Sequence, residues 1–164
     1  MITKRTFGLG LLGVAGATYV LGERSQARTA KTSFPFTLSE AEWKRKLTPA
    51  QYRVLREEGT ERAWSSPLDK EKRAGRFSCA GCDQALFDSR TKFDSGTGWP
   101  SFTQPIEGAV GTSEDRALFM TRTEVHCSRC GGHLGHVFED GPKPTGLRYC
   151  MNGVAMTFTP ATAS

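Results

Sequence analysis

The sequence predicts a mainly β protein in which antiparallel β-sheets follow short N-terminal helices. From Gly75 onward, short segments rich in aromatic and β-branched residues alternate with turns, a spacing typical of antiparallel sheets. Eighteen glycines and eight prolines supply those turns. A chain of 164 residues is long enough for one domain with a core of its own.

Six segments carry the strand pattern, and one of them, at residues 118–125, alternates as a half-buried strand does. We therefore expect strands at Gly75–Cys79, Ala85–Asp88, Leu118–Val125, His136–Glu139, Arg148–Met151 and Ala155–Thr159.

Residues 38–59 are helical in composition and contain two start signals. Ser39 with Glu42 three residues later forms a capping-box pattern. Pro49 breaks the first helix, and Thr48 before it can cap a second one that has Pro49 at its first position. We expect these helices only to pack on the β body, through the apolar residues Trp43, Leu47, Tyr52 and Leu55.

The first 30 residues predict a targeting segment rather than part of the fold. Lys4 and Arg5 precede an uncharged run from Phe7 to Leu21, and Ser25-Gln26-Ala27 offers a cleavage site. This run suits a secretory signal better than a membrane span of about 20 residues. We predict export to the periplasm, with the Lys-Arg pair resembling a variant twin-arginine signal; an uncleaved membrane anchor is the alternative.

Four of the five cysteines form two matched Cys-x-x-Cys pairs, Cys79 with Cys82 and Cys127 with Cys130. The two-residue spacer lets both sulfurs of a turn face one ion, and two such turns complete a tetrahedral zinc site. Two disulfides or a Cys-x-x-Cys redox centre are the alternatives. The 44 residues between the pairs exceed the roughly 15–20 of common zinc ribbons, so the metal would clip a fold together.

Cys150 is the cysteine left over, and it is either a small buried side chain or a nucleophile. Arg148 lies close enough in sequence to stabilise a thiolate. Asn152 falls on the same face if the segment is a strand. His133 and His136, which are of the residue type that titrates near neutrality, are either candidate proton donors or core histidines bonded to the backbone.

Together these motifs resemble the methionine sulfoxide reductase B family. The sequences GWPSF (Gly98–Phe102), GGHLGHVF (Gly131–Phe138) and RYCMN (Arg148–Asn152), with the two cysteine pairs, stand in that family's order over roughly Phe36–Phe158. The resemblance implies that residues 31–164 form an enzyme with one structural Zn²⁺. Its expected activity is reduction of the R epimer of methionine sulfoxide in peptides or proteins.

The resemblance also implies the catalytic residues. Cys150 would attack the sulfoxide sulfur, which releases methionine and leaves a sulfenic acid. His136 would be the direct proton donor, and His133 would bind or orient the substrate. Asn152 would hydrogen-bond the substrate or hold Cys150.

Four further residues are predicted to bind substrate. Trp99 would be the apolar wall against the sulfur-bound methyl group, completed by Phe102; a buried core tryptophan is the alternative. Asp140 would orient an imidazole or is simply an exposed turn acid. Arg148 would contribute positive charge beside the thiol.

One position departs from the family. Many members carry a resolving cysteine two residues before the tryptophan of GWPSF, where this chain has Thr97. We therefore predict a monomeric one-cysteine enzyme, whose sulfenic acid is reduced by an external thiol from a thioredoxin-like or glutathione-type partner.

Two interpretations from other classes remain: a zinc-knuckle module that binds nucleic acid or protein, and an inactive zinc scaffold. The net charge of +5 is mild and includes no dense basic patch in the domain, so we expect no nucleic-acid partner. Neither alternative accounts for Cys150 together with Arg148 and Asn152.

Overall fold

The computed structural model describes residues 33–117 and 120–162, and it confirms the predicted mainly β architecture. Two helices, α1 (Glu40–Lys46) and α2 (Pro49–Glu57), precede the strands. The strands are β1 (Gly75–Cys79), β2 (Ala85–Asp88), β3 (Lys92–Phe93), β4 (Ser101–Phe102), β5 (Val110–Ala117), β6 (Met120–Cys127), β7 (His133–Phe138), β8 (Arg148–Met151) and β9 (Met156–Pro160).

Both helices begin with a capping box. The sequence predicted the box at α1 and, at α2, only the Thr48 cap. The Ser39 hydroxyl accepts from the amide of Glu42, whose carboxylate accepts from the amide of Ser39 in return. Thr48 and Gln51 repeat this exchange at α2, with Pro49 at the first helical position. A cap of this kind stabilises a helix by about 1 kcal/mol, which matters for helices this short.

The apolar faces of the helices pack on the β body. Trp43, Leu47 and Leu55 are buried as expected, whereas Tyr52 is half-buried and Val54 takes a core position. Helix α2 packs against β7, so the helices support the strand that carries both candidate histidines.

The strands form two antiparallel sheets, with the orders β2-β1-β9 and β3-β4-β8-β7-β6-β5. Aromatic rings join the two sheets. Phe102 of the larger sheet lies 4.3 Å from the ring of Phe87 and 5.0 Å from that of Phe77, both of the smaller sheet. All three rings are fully buried, and each such burial stabilises the fold by about 1.5–3 kcal/mol.

Strand prediction succeeded where the pattern was apolar. The bounds of β1, β2 and β8 match the expected ones. Strand β7 begins at His133, earlier than expected, and β5 was not predicted. The sequence of β5, VGTSEDRA, is too polar to be predicted as a strand from its pattern. The strand nevertheless pairs with β6 along its whole length.

The predicted export signal or anchor, residues 1–30, lies outside the described residues. Neither helix in the described part of the chain is long and apolar enough to cross a membrane.

Candidate active site and metal centre

The four paired cysteines converge in one buried cluster. Cys79 ends β1 and Cys127 ends β6, while Cys82 and Cys130 lie in the turns that follow. All four Sγ atoms lie within 4.8 Å of one another. The Sγ atoms of Cys79 and Cys130 are 3.7 Å apart, and those of Cys82 and Cys127 are 3.5 Å apart.

These distances fit a metal site rather than disulfides. A disulfide bond is about 2.05 Å long, and all of these thiols are free. Metal–sulfur bonds of about 2.3 Å in a tetrahedron place neighbouring sulfurs about 3.8 Å apart. The cluster is therefore a candidate metal site of the soft, four-thiolate kind.

Two arginines hold the peptide groups of the cluster. Arg56 donates from Nη1 to the carbonyl of Cys130 (3.0 Å), and its guanidinium stacks 4.9 Å from the ring centre of Trp43. Arg129 donates from Nη1 to the carbonyl of Cys82 (2.9 Å). The N-terminal helices therefore support the cysteine cluster as well as the sheet.

A polar row crosses five strands of the larger sheet and contains Cys150. Ser113 pairs with Glu124, Glu124 with His136, His136 with Cys150, and Cys150 with Ser101. Directly paired residues share one face of a sheet, with Cβ atoms about 4.5–5.5 Å apart. The thiol thus lies between an imidazole and a hydroxyl on one face.

A β-bulge brings His133 to the neighbourhood of His136. Residues three apart in a regular strand point to opposite faces. Here Val125 pairs with Gly135, but the next residue of β6, His126, pairs with His133, so β7 contains one extra residue. The two imidazole rings lie 5.4 Å apart, and bulges of this kind are common beside active sites.

Asp115 orients the imidazole of His136. Nε2 of His136 donates to Oδ2 of Asp115 (2.8 Å), which also accepts from Arg122 (2.6 Å). The hydrogen bond from His136, assisted by Arg122, holds the pKa of Asp115 below its ordinary value. Burial lowers the pKa of His136 despite this carboxylate. The imidazole is therefore neutral near pH 7, with its hydrogen on Nε2 and a lone pair on Nδ1.

Glu124 holds the second histidine. Nδ1 of His133 donates to Oε1 of Glu124 (2.8 Å). Contacts with His126, His133 and Ser113 hold the pKa of Glu124 well below its ordinary value. His133 is only 3% exposed, and its Nε2 is one of two buried side-chain polar atoms without a hydrogen-bond partner in the described residues. Such an atom is costly to bury and marks a candidate binding position.

Hydroxyl groups surround the half-buried thiol of Cys150. Thr97 Oγ1 lies 4.0 Å from Sγ, and Ser95 Oγ lies 2.8 Å from the hydroxyls of both Thr97 and Ser101. Burial raises the pKa of the thiol, opposed by the charge of Arg148 and by the hydroxyls of Thr97 and Ser101. Near neutral pH the free protein therefore holds Cys150 as a thiol with its proton still in place.

Asp140 does not orient an imidazole, a part that Asp115 takes instead. Asp140 accepts two hydrogen bonds from Arg148, each 2.8 Å long. The guanidinium also stacks 4.4 Å from the ring centre of Phe138. Asp140 and Arg148 border a groove of about 420 Å³ that also includes Thr97, whose hydroxyl lies 4.0 Å from the thiol.

Two of the predicted site residues, Phe102 and Asn152, are buried in the fold. Phe102 is fully buried and stacked on Phe87, and a ring without exposed surface has none to offer a substrate. The side chain of Asn152 is buried, because Oδ1 accepts from the amide of Glu61 (2.9 Å) and Nδ2 donates to the carbonyl of Leu134 (3.0 Å). Asn152 therefore holds backbone rather than Cys150.

Trp99 is half-buried, and its indole is fixed at one edge. Nε1 donates to the carbonyl of Glu61 (3.2 Å). The preceding Gly98, at φ +85°, lies under the ring of Trp64, where a Cβ atom would come within 2.7 Å of the indole. Trp64 is 61% exposed and adopts a left-handed φ of +66°, so the segment is covered by a ring that the sequence pattern did not single out.

The fold and the site define a β protein with a cluster of four cysteines that could hold a metal ion and a fifth, separate cysteine beside two histidines. Residues 47–160 match the SelR domain. The chain is 53% identical over 135 residues to the peptide methionine sulfoxide reductase MsrB of Bradyrhizobium diazoefficiens, covering 82% of this chain and 97% of that protein. It is 60% identical to MsrB of Methanosarcina barkeri, covering 73% and 85% of the two chains. It is 55% identical to the chloroplastic peptide methionine sulfoxide reductase B1 of Arabidopsis thaliana, covering 73% and 60%. The chain belongs to this family, the MsrB proteins with a SelR domain.

Proposed function

We propose that this protein reduces methionine sulfoxide in peptides and proteins to methionine, with preference for the R epimer. The direct pairing of Cys150 with His136, whose imidazole is oriented by Asp115, carries the proposal. A nucleophile, a base and a third group that orients the base form the arrangement that activates cysteine in many enzymes. Family membership supplies the substrate class.

The protonation states define the proton path. Nδ1 of His136 takes the thiol proton while Sγ of Cys150 attacks the sulfoxide sulfur, and it then delivers this proton to the oxygen. The attack forms a bond between Sγ and the sulfoxide sulfur. As the hydroxyl moves from that sulfur to Sγ, this S–S bond and the S–O bond of the sulfoxide both break, and an S–O bond forms on Cys150. Methionine sulfur is reduced by two electrons and Cys150 is oxidised to a sulfenic acid, so no further proton is required. Proton transfer of this kind contributes about 10²–10⁴-fold to rate.

Other residues of the site bind the substrate. The face of Trp99 packs against the sulfur-bound methyl group, which carries partial positive charge next to the oxidised sulfur. Nδ1 of His133 is committed to Glu124. In the neutral imidazole this leaves Nε2 as an acceptor, and the peptide N–H of the substrate is the donor that reaches it. Arg148 and Asp140 line the groove along which the substrate chain lies.

The cysteine cluster holds one structural Zn²⁺ in this proposal, with Cys79, Cys82, Cys127 and Cys130 as ligands. Held by these four residues, the ion would join the end of β1 to the end of β6 and would serve the fold rather than the reaction. Because all four ligands are bound and buried, none is available to reduce the sulfenic acid.

An external thiol therefore completes the cycle. It attacks the sulfenic sulfur of Cys150, which releases water and forms a mixed disulfide, and a second thiol then frees Cys150. Thr97, whose Oγ1 lies 4.0 Å from Sγ, has no thiol to do this. A thioredoxin-like or glutathione-type donor outside the cytosol fits the proposed export of a monomer, which fractionation of cells that produce the full chain would test.

Turnover of the two epimers tests the function. The purified protein would be given peptides that contain either R or S methionine sulfoxide, with dithiothreitol as the reductant. We expect the wild-type protein to reduce the R epimer alone, and the Cys150→Ser protein to reduce neither epimer. Turnover that persists in Cys150→Ser, or a folded and metal-loaded wild type that reduces neither epimer, would reject the proposal.

A further inference from the structure

Glu61 is a buried acid that the proposed chemistry does not use. It lies in the connection between α2 and β1 and is only 8% exposed, the one carboxylate with a buried side chain among the described residues. Burial raises its pKa, although two backbone amides oppose this shift. A buried carboxylate is expensive unless its hydrogen bonds are satisfied, so its partners indicate what it does.

The carboxylate holds the chain directly after the nucleophile. Its two oxygens accept from the amides of Gly153 (2.5 Å) and Val154 (2.9 Å). These amides open the short 3-10 turn Gly153–Ala155, which follows β8. By accepting from both amides, the carboxylate fixes the position of the backbone where β8, the strand of Cys150, ends.

The backbone of Glu61 contacts both sides of the proposed pocket. Its amide donates to Oδ1 of Asn152 (2.9 Å), two residues after Cys150. Its carbonyl accepts from the indole of Trp99 (3.2 Å). Three residues later, the amide of Trp64 donates to the carbonyl of Gly98 (2.7 Å), which fixes the same segment a second time.

We infer that Glu61 is a positioning residue that sets the distance between the Trp99 wall and the Cys150 nucleophile. The inference rests on the proposed function, because it assigns Trp99 to the methyl group of the substrate. A sulfoxide needs both the wall and the thiol in place, whereas a small alkylating reagent needs only the thiol. Displacement by about 1 Å is enough to slow an oriented reaction by up to about 100-fold.

The test compares these two reactions in one set of variants. In Glu61→Gln, the side-chain NH₂ group faces a backbone donor, so one of the two amide bonds is lost. We expect kcat/KM for the R-sulfoxide peptide to fall about tenfold, while the rate of Cys150 alkylation by iodoacetamide stays within about twofold of wild type. In a Trp99→Phe background the same change should have little further effect on turnover, because interacting residues are non-additive.

Ser66→Ala is the matched control. Its hydroxyl lies against Gly153 and caps the neighbouring turn at Leu68. The change therefore disturbs the surroundings of Gly153 without breaking a bond to Trp99 or Asn152. We expect turnover and alkylation to remain in their wild-type ratio. If Glu61→Gln does not fold, Asn152→Ala breaks the link from the opposite side and should give the same selective loss of turnover.

The outcomes separate the two claims. If folded Glu61→Gln loses turnover and alkylation equally, or loses neither, the inference is wrong. The proposed function still stands in that case, provided that the wild-type protein reduces the R epimer. Wild-type protein that alkylates but reduces neither epimer would reject the function, and the inference would fall with it.

Discussion

Cys150 and His136 are direct partners across strands β8 and β7, and the imidazole is held from its far side by Asp115 on β5. The contact between Asp115 and His136 reaches across β6, which lies between their strands. The geometry of the candidate site is therefore set by the pairing of the strands rather than by one loop. Each prediction below changes one part of that geometry.

Replacing Asp115 should slow the chemical step. Asp115→Asn removes the carboxylate that fixes the hydrogen on Nε2 of His136, so the imidazole can present the wrong nitrogen to the thiol. We expect kcat to fall about 100-fold with KM little changed, measured by steady-state reduction of a sulfoxide peptide. The control is Glu114→Gln, at the preceding residue, whose carboxylate forms a salt bridge with Arg116 instead. A change below twofold in Asp115→Asn would remove this residue from the mechanism.

Glu124 should stabilise the fold in a pH-dependent manner. Its pKa is depressed in the folded protein by its contacts with His126, His133 and Ser113. This contribution is therefore complete above the ordinary carboxyl pKa of 4.5 and is lost as the pH falls from there toward the depressed value. The difference in unfolding free energy between wild type and Glu124→Gln should shrink between pH 6 and pH 3.

Denaturant unfolding at several pH values measures that difference. Acid also releases metal from thiolates, but this loss affects both proteins and cancels in the comparison. Glu107→Gln, which removes an exposed carboxylate, should show no comparable trend. A Glu124→Gln difference that stays constant or grows on acidification would contradict the assignment.

Removing one cysteine of the cluster should unfold the domain. Structural zinc contributes about 10–16 kcal/mol of apparent binding free energy, which is comparable to the whole stability of a domain, about 5–15 kcal/mol. Cys127→Ser should therefore lose both bound zinc and the unfolding transition, as measured by metal analysis and circular dichroism. Cys150→Ser, by contrast, should keep both. A folded and active Cys127→Ser protein would show that the cluster is not a structural metal site.

Gly98 should tolerate no side chain. Gly98→Ala forces a Cβ atom against the Trp64 indole at a left-handed φ of +85°. Gly108 has a similar φ of +68° but open space around it, so Gly108→Ala isolates the backbone cost of about 1 kcal/mol. We expect Gly98→Ala to cost about 1–3 kcal/mol more through overpacking and to lower kcat/KM by displacing Trp99. Equal unfolding free energies for the two variants would show that the Trp64 contact is unimportant.

The sequence predicted the parts of this protein that local patterns encode. Cysteine spacing predicted the four-cysteine cluster, and cap residues predicted both helices. Short segments of aromatic and β-branched residues between turns predicted β1, β2 and β8. The position of Cys150 between Arg148 and Asn152 marked the candidate nucleophile.

Those local patterns do not determine which residues of neighbouring strands pair with each other. Nothing local indicates that β7 contains a bulge, which is what brings His133 and His136 together. Strand β5 has no apolar face to reveal it, so Asp115 was missed and Asp140, nearer in sequence, was chosen in its place. Phe102 and Asn152 resemble site residues by motif, but the tertiary fold buries both.

A single turnover without reductant tests the central claim most directly. The protein would receive one equivalent of the R-sulfoxide peptide in the presence of dimedone, which traps sulfenic acids, and peptide mapping by mass spectrometry would locate the adduct. The account predicts about one equivalent of reduced peptide and an adduct on Cys150 alone. A disulfide from Cys150 to Cys79, Cys82, Cys127 or Cys130, or an adduct on any other cysteine, would contradict it.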